Sequence, residues 1–330
     1  MLTAKRQDCR QIMLQLALGV VAGFTSGELG KVRSSISPKE FPREHADPAA
    51  SREGRREAFT GETTGQVLMQ DDQVDAVSGS FWWSQRWHGK YPSGEDMHDT
   101  RDEAAALNNA EWCAAVWRSH GLSVEQALGL WACAHQTPQY YPNVVTVDLG
   151  ADPSVQAKFI ADLLQSHPSL DVSVKDSFAS LDLRAVGMTP LFDARWLARP
   201  AQVESATAPT LQWRRIGDEP QLAAWETAWR GVHQRGPRIF RRQLLSDPCA
   251  IVLGGFDEHD AIQAGGIAYD AAGALGITNV FGSGQQFIQA LGSMRPGSGM
   301  VCYAAGDDLR SAVQSGFQVL GSLRIWARRT

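Results

Sequence analysis

The chain has 330 residues, 43% apolar and 20% charged, which is enough for two domains of ordinary size, each with its own core. A net charge of -5 argues against a general electrostatic grip on nucleic acid or an anionic membrane surface. Cys9, Cys113, Cys133, Cys249 and Cys302 are scattered, odd in number and without a C-x-x-C pair, so they fit no disulfide framework and point to reduced thiols in a cytoplasmic setting.

In chain order, Ile12–Phe24 is apolar but too short to span a bilayer, and no A-x-A pattern follows it. It is expected to form an N-terminal helix or extension. Gly30–Gln66 is rich in Ser, Pro, Gly, Arg and Glu and is expected to stay poorly ordered, so residues 1–66 form an extension to the folded body. FWWSQRWHG, Phe81–Gly89, reads as a hydrophobic plug or an aromatic binding face.

Arg101–Ser119 reads as an amphipathic helix closed by Gly121, and Ala127–Ala134 as a strand. QTPQYYPN, Gln136–Asn143, is a turn-rich rim in which at most one of the adjacent tyrosines points inward. Val144–Leu149 is a strand, Val155–Leu164 a helix capped by Asp152, Asp171–Val174 a strand, Ser177–Val186 a short helix and Leu191–Leu197 a strand.

Residues 201–210 look like a linker between a domain at 67–200 and another at 211–330. Beyond it, Leu222–Trp229 is helical. Ala250–Leu253, Ala261–Tyr269 and Leu275–Phe281 follow as strands joined by hairpin turns. A helix from Gln286, a strand at Gly299–Tyr303, a helix at Asp308–Gln314 and a strand at Val319–Ala327 complete the chain. Gly187–Arg199 (GMTPLFDARWLAR) aligns without a gap on Gly316–Arg328 (GFQVLGSLRIWAR), and the order of elements before each is the same.

In this order of elements the second half resembles the GCN5-related N-acetyltransferase (GNAT) superfamily, and the whole chain resembles its tandem-domain members with a divergent N-terminal copy. The resemblance implies an α+β fold: two tandem domains, each a mostly antiparallel central sheet flanked by helices. It also implies an acyl-CoA-dependent N-acetyltransferase in which a small amine attacks the thioester of acetyl-CoA directly. Thr278, Asn279, Val280 and Phe281 would then line the pantetheine arm, with Gly282, Ser283, Gly284 and Gln285 forming the pyrophosphate turn. Tyr303 is the candidate proton donor, with Tyr269 and Asp270, at the end of the Ala261–Tyr269 strand, as candidates for the base.

That turn carries no basic residue, and the equivalent stretch of the first half contains Asp148 and Asp152, whose charges would repel a diphosphate. The alternative reading is therefore a catalytically inactive, acetyltransferase-like module for ligand binding or protein interaction. No H-x-x-x-H or H-E-x-x-H spacing suggests a metal, and no G-x-x-x-x-G-K-[ST] or G-x-S-x-G run is present.

Overall fold

The computed structural model describes residues 96–201, 210–231 and 236–328, with side chains from residue 101. The expected N-terminal helix, the Gly30–Gln66 segment, the FWWSQRWHG cluster and most of the 201–210 linker lie outside the described residues.

Helix α1 (Asp96–Ser119) is followed by β1 (Glu125–Ala127), β2 (Leu130–Ala132), β3 (Val144–Thr146), α2 (Pro153–Ser166), β4 (Ser173–Asp176) and β5 (Met188–Arg199). After residue 210 come β6 (Gln212–Arg215), α3 (Glu219–Arg230), β7 (Ala250–Phe256), β8 (Ile262–Ala271), β9 (Ala274–Phe281), α4 (Gly284–Met294), β10 (Met300–Ala304), α5 (Gly306–Gln314) and β11 (Gln318–Arg328). Capping chemistry sets two helix starts: Asp152 accepts from the Ser154 amide at 2.8 Å, and Asp218 from the Gln221 amide at 2.8 Å. Each is followed by a proline in the first helical turn, where no amide hydrogen is needed.

Two local expectations give way to turn chemistry. The strand expected over Ala127–Ala134 is a hairpin, β1–β2, because Leu128 and Gly129 both take positive φ, 56° and 69°. Such a two-residue turn matches the twist of paired strands. The helix expected over Ser177–Val186 shrinks to a single 3-10 turn at Arg184–Val186. There the Asp176 carboxylate takes the amides of Ser180 (3.1 Å) and Leu181 (2.9 Å), offering the backbone a better-paired alternative to a helical turn.

Where the sequence predicts two separate sheets, the described residues form one mixed sheet of eleven strands, in the order β1-β2-β3-β4-β11-β5-β10-β9-β8-β7-β6. The physical cause is an exchange of closing strands. β11 lies between β4 and β5, and β5 lies between β11 and β10, all antiparallel. The two aligned sequence segments are these neighbours, with Met188 opposite Arg328 and Ala198 opposite Gln318. Each is preceded by a glycine in the left-handed region, Gly187 at φ 86° and Gly316 at φ 87°.

Alternation along the strands divides the core. On β8 a Cβ at Gly265 would strike Trp225 of α3, whereas one at Gly266 would strike Phe287 of α4, so these helices cover opposite faces. Helices α1 and α3 share a cluster around Trp112, Trp117, Trp225 and Phe240. Helices α4 and α5 pack over Leu275, Ile277 and Met300 on the other face, and α2 packs over Val144, Val174 and Trp326. Trp117, Trp196, Trp225 and Trp326 are completely buried; truncating any one to alanine costs about 3–5 kcal/mol.

Candidate active site at the opening between β9 and β10

β9 and β10 run parallel but pair only at Leu275 with Met300 and Gly276 with Val301. Beyond that point Ile277–Phe281 and Cys302–Ala304 diverge, and the sheet opens. A bulge sits at the same place. Ile267 opposes Thr278 and Gly265 opposes Phe281, so β9 spends one residue more than β8, and Asn279 takes φ 53°. Bulges bend a strand and leave a residue unpaired, so the kink turns backbone groups of β9 away from their ladder.

Helix α1 crosses the opening. Asn108 lies directly over Gly276, where any Cβ would overlap its Oδ1. Its amide nitrogen lies within hydrogen-bonding distance of the carbonyls of Tyr269 (3.0 Å), Ala271 (2.8 Å) and Ala274 (2.9 Å). A small recess of about 10 Å³, room for about one water and partly open to solvent, remains beside it, lined by Asn109, Trp112, Trp196, Thr278 and Cys302 among others.

A polar chain runs beside this recess. Trp112 Nε1 donates to Tyr141 Oη (3.1 Å), which donates to Asn279 Oδ1 (3.3 Å), which also accepts from Thr278 Oγ1 (2.9 Å). Burial pushes the Tyr141 phenol well above its ordinary range, so it stays a neutral donor. Tyr303, on the part of β10 that pairs with β5 but not with β9, packs edge-on against Trp196 with ring centroids 5.5 Å apart. The Lys175 ammonium of β4 lies 4.5 Å above the Tyr303 ring and donates to Asn109 Oδ1 at 2.5 Å.

The β9–α4 turn is tight. Gly282 has φ 67°, and a Cβ there would stand 2.5 Å from the Gln263 carbonyl oxygen, so only glycine fits. Ser283 caps α4, accepting from the Gln286 amide at a long 3.4 Å. The Gly284 and Gln285 amides open the helix and have no intrahelical acceptor. No basic side chain stands on the turn. The adjacent β7–β8 turn is acidic, with Asp257 tied to Gln263 Nε2 at 2.6 Å and its carboxyl held below the usual range by the Ala261 amide.

The structure therefore brings Thr278, Asn279, Tyr303 and the Gly282–Gln285 turn to one opening, with Val280 packed toward α4 and Phe281 against Trp225 at 5.3 Å. Tyr269 and Asp270 lie elsewhere. Tyr269 Oη donates to Asp247 Oδ2 (3.1 Å), and burial raises its pKa far enough to keep it protonated. Asp270 is ion-paired with Arg295 and stands opposite Leu275, at the closed end of the strand pair. Of the two rim tyrosines, Tyr141 is buried and points in, while Tyr140 packs on Trp229 at 5.9 Å. Sequence reasoning missed Lys175, Asn109 and Trp112. The signal for Lys175 was its position: a lysine at the end of the strand run VSVK, in alternation with Ser173 and between the apolar Val174 and the buried Asp176.

Among the described residues no group of His, Cys, Asp and Glu could hold a metal ion, and no helix is long and apolar enough to cross a membrane. No protein-family model matches the sequence, and no curated protein matches it. Solved structures do resemble it. A GCN5-related N-acetyltransferase from Kribbella flavida is 14% identical, with 69% of this chain and 96% of that chain covered and a TM-score of 0.48. A GNAT-family acetyltransferase structure from Novosphingobium aromaticivorans is 15% identical (68% and 99% covered, TM-score 0.42). A GCN5-related N-acetyltransferase from Sphaerobacter thermophilus is 14% identical (68% and 93% covered, TM-score 0.40).

Proposed function

We propose that the β9–β10 opening takes the thioester end of an acyl-CoA and that the protein transfers the acyl group to a small-molecule amine approaching from the α1 face. One observation carries this reading: the parting of the parallel strands, the Asn279 bulge and the start of α4 coincide at one point. The gap suits a narrow pantetheine chain, and the first amides of α4 suit a diphosphate. With no basic side chain on the turn and an acidic turn beside it, backbone amides carry that contact alone, so binding is expected to be salt-sensitive and modest.

The reaction needs an uncharged amine held against the thioester carbonyl, a donor for the developing oxyanion and a proton for the departing thiolate. Freed β9 backbone amides next to the bulge are suited to the carbonyl oxygen. Tyr303 is the proton donor in this reading, since its hydroxyl has no hydrogen-bond partner among the described residues and it stands where β10 no longer pairs with β9. Tyr269 and Asp270 serve packing and ion pairing. Among the described residues no carboxylate lines the opening, so the amine is expected to lose its proton to water.

The two halves are further read as two copies of one unit, supported by the order β3-β4-β11-β5-β10-β9, in which each half's parallel pair flanks the exchanged closing strands. The boundaries 67–200 and 211–330 belong to this reading. Free Cys113, Cys133, Cys249 and Cys302 suit a cytoplasmic setting.

Calorimetric titration with acetyl-CoA and with free CoA tests the proposal, alongside Thr278→Trp, which fills the gap from a half-buried position. Saturable heat that the variant abolishes supports it, and thiol release with an amine establishes transfer. Heat without thiol release from any amine favours the non-catalytic module, and no heat at millimolar ligand overturns both.

A further inference from the structure

We infer that Tyr141 is a positioning residue for the opening: its hydroxyl, carried on the rim loop of the first half, holds the Asn279 bulge of β9 in the shape that presents backbone amides to a thioester carbonyl. The thioester rests on the acyl-transfer reading above; the brace between Tyr141 and the bulge does not. The bulge needs holding. Asn279 is buried at φ 53°, a left-handed conformation that is unfavourable for any residue with a side chain, though least so for asparagine. Asn279 and Val280 together stand opposite Gly266, so the ladder to β8 does not fix the register there.

The hydrogen bonds run in one direction. The Trp112 indole can only donate, and it donates to Tyr141 Oη at 3.1 Å. The phenol hydrogen is thereby left for Asn279 Oδ1, 3.3 Å away. Burial keeps this phenol neutral, so the donor is not lost to ionisation. The donor is itself fixed in place. The Tyr141 amide donates to the Pro138 carbonyl (3.1 Å), the Tyr141 carbonyl accepts from Thr137 Oγ1 (2.7 Å), and its ring meets Trp112 edge-on at 6.2 Å.

The rim loop is strained in a way that serves this contact. Tyr140 takes φ 79°, a conformation that a bulky aromatic residue rarely adopts, and packs on Trp229 while Tyr141 turns inward. One hydrogen bond between residues 138 positions apart thus joins two segments, each holding a non-glycine residue in the left-handed region. Strain of this kind persists only where the surroundings over-determine it, and it gathers at ligand sites. Packing alone would be served by phenylalanine at 141, without the cost of burying a hydroxyl.

The test compares acetyl-CoA with free CoA by calorimetry on the full chain, since only acetyl-CoA carries the thioester carbonyl. The wild type is expected to bind acetyl-CoA about three- to tenfold tighter, the range that one hydrogen bond supplies. Tyr141→Phe keeps the ring and removes the hydroxyl; it should lose that preference while free CoA binds as before. Without ligand, the same variant should exchange the Ile277–Phe281 amides about threefold or more faster. Asn279→Ala removes the acceptor instead and should reproduce both changes, and combining the two substitutions should add nothing. Equal binding of the two ligands by the wild type overturns the inference, as do additive effects or a variant that weakens both ligands alike. Preference retained in Tyr141→Phe overturns the brace and leaves the acyl-transfer reading standing. A wild type that binds neither ligand, with faster exchange in the variant, does the reverse; unchanged exchange there overturns both.

Discussion

The sheet contains two parallel strand pairs, β3–β4 and β9–β10, and they end differently. Each pairs at two positions before parting: Val144 with Val174 and Val145 with Lys175 in the first, Leu275 with Met300 and Gly276 with Val301 in the second. In the first pair the gap is filled by the chain itself. Thr146 Oγ1 accepts from the Ser177 amide (2.7 Å), and Trp196 Nε1 donates to the Ser177 carbonyl (2.7 Å). The helix that follows has its N-terminus occupied by the Asp152 carboxylate, which the Ser154 hydroxyl and amide hold below the usual pKa range. In the second pair the gap stays open, β9 is bulged, and a neutral serine caps the helix. The same topology thus ends in a junction filled by its own chain in the first pair and in one left unfilled in the second.

The comparison can be broken first at the turns. Gly282→Ala forces a Cβ against the Gln263 carbonyl at positive φ and should cost about 2–4 kcal/mol in chemical denaturation. Gly150→Ala, in the first turn, meets only Asp148 Oδ1 at 3.4 Å and should change stability by less than about 0.5 kcal/mol. Similar costs at both positions would remove the distinction between a built turn and a permissive one.

A carboxylate can also be transplanted from one helix start to the other. Ser283→Asp gives α4 the cap that α2 already has, so stability should rise by roughly 0.3–1 kcal/mol. Acyl-CoA affinity should fall about tenfold in the same variant, because the new charge meets the diphosphate. Denaturation and calorimetry on one protein sample would read these opposite signs. A variant that gains stability and binds acetyl-CoA unchanged would remove α4 from the site.

Two buried aspartates extend the contrast between satisfied and unsatisfied groups. Burial raises the Asp176 pKa, but its oxygens accept from Leu181, Ser180 and Trp326; Asp176→Asn should therefore cost about 1–3 kcal/mol. Asp308, in the first turn of α5, has a buried Oδ2 without a partner, and burial together with the Asp307 charge pushes its pKa up to about 7. The folded state then holds this proton more tightly than the unfolded chain, whose value is near 3.8. Its contribution to stability is complete below that value and is lost as pH rises toward 7. Asp308→Asn should flatten that decline and raise the melting temperature at pH 8 by ~2 °C or more, with little change at pH 4.

Most elements of the second half were legible from their periodicity, because β7, β8 and β9 are buried apolar runs separated by the DEHD and DAAG turns. The aligned Gly187 and Gly316 segments were also legible, since an unusual backbone angle demands glycine at both. Their exchange between halves was not, because strand order depends on pairing across more than a hundred residues and leaves no local pattern. The turn at Gly282–Gln285 was readable as a strand-to-helix junction. The α1 side of the recess was not: Asn108, Asn109 and Trp112 read as one helix, and only packing shows that they cross the opening. Tyr269 and Asp270 were chosen for their nearness in sequence to the hairpin, which placed them at the closed end of the strand pair.

Hydrogen–deuterium exchange with and without acetyl-CoA tests the difference between the two pairs most directly. Peptides covering Thr278–Gln286 should gain protection on addition of acetyl-CoA, while those covering Thr146–Val155 stay unchanged. Protection at both junctions, at the first alone or at neither would contradict the account.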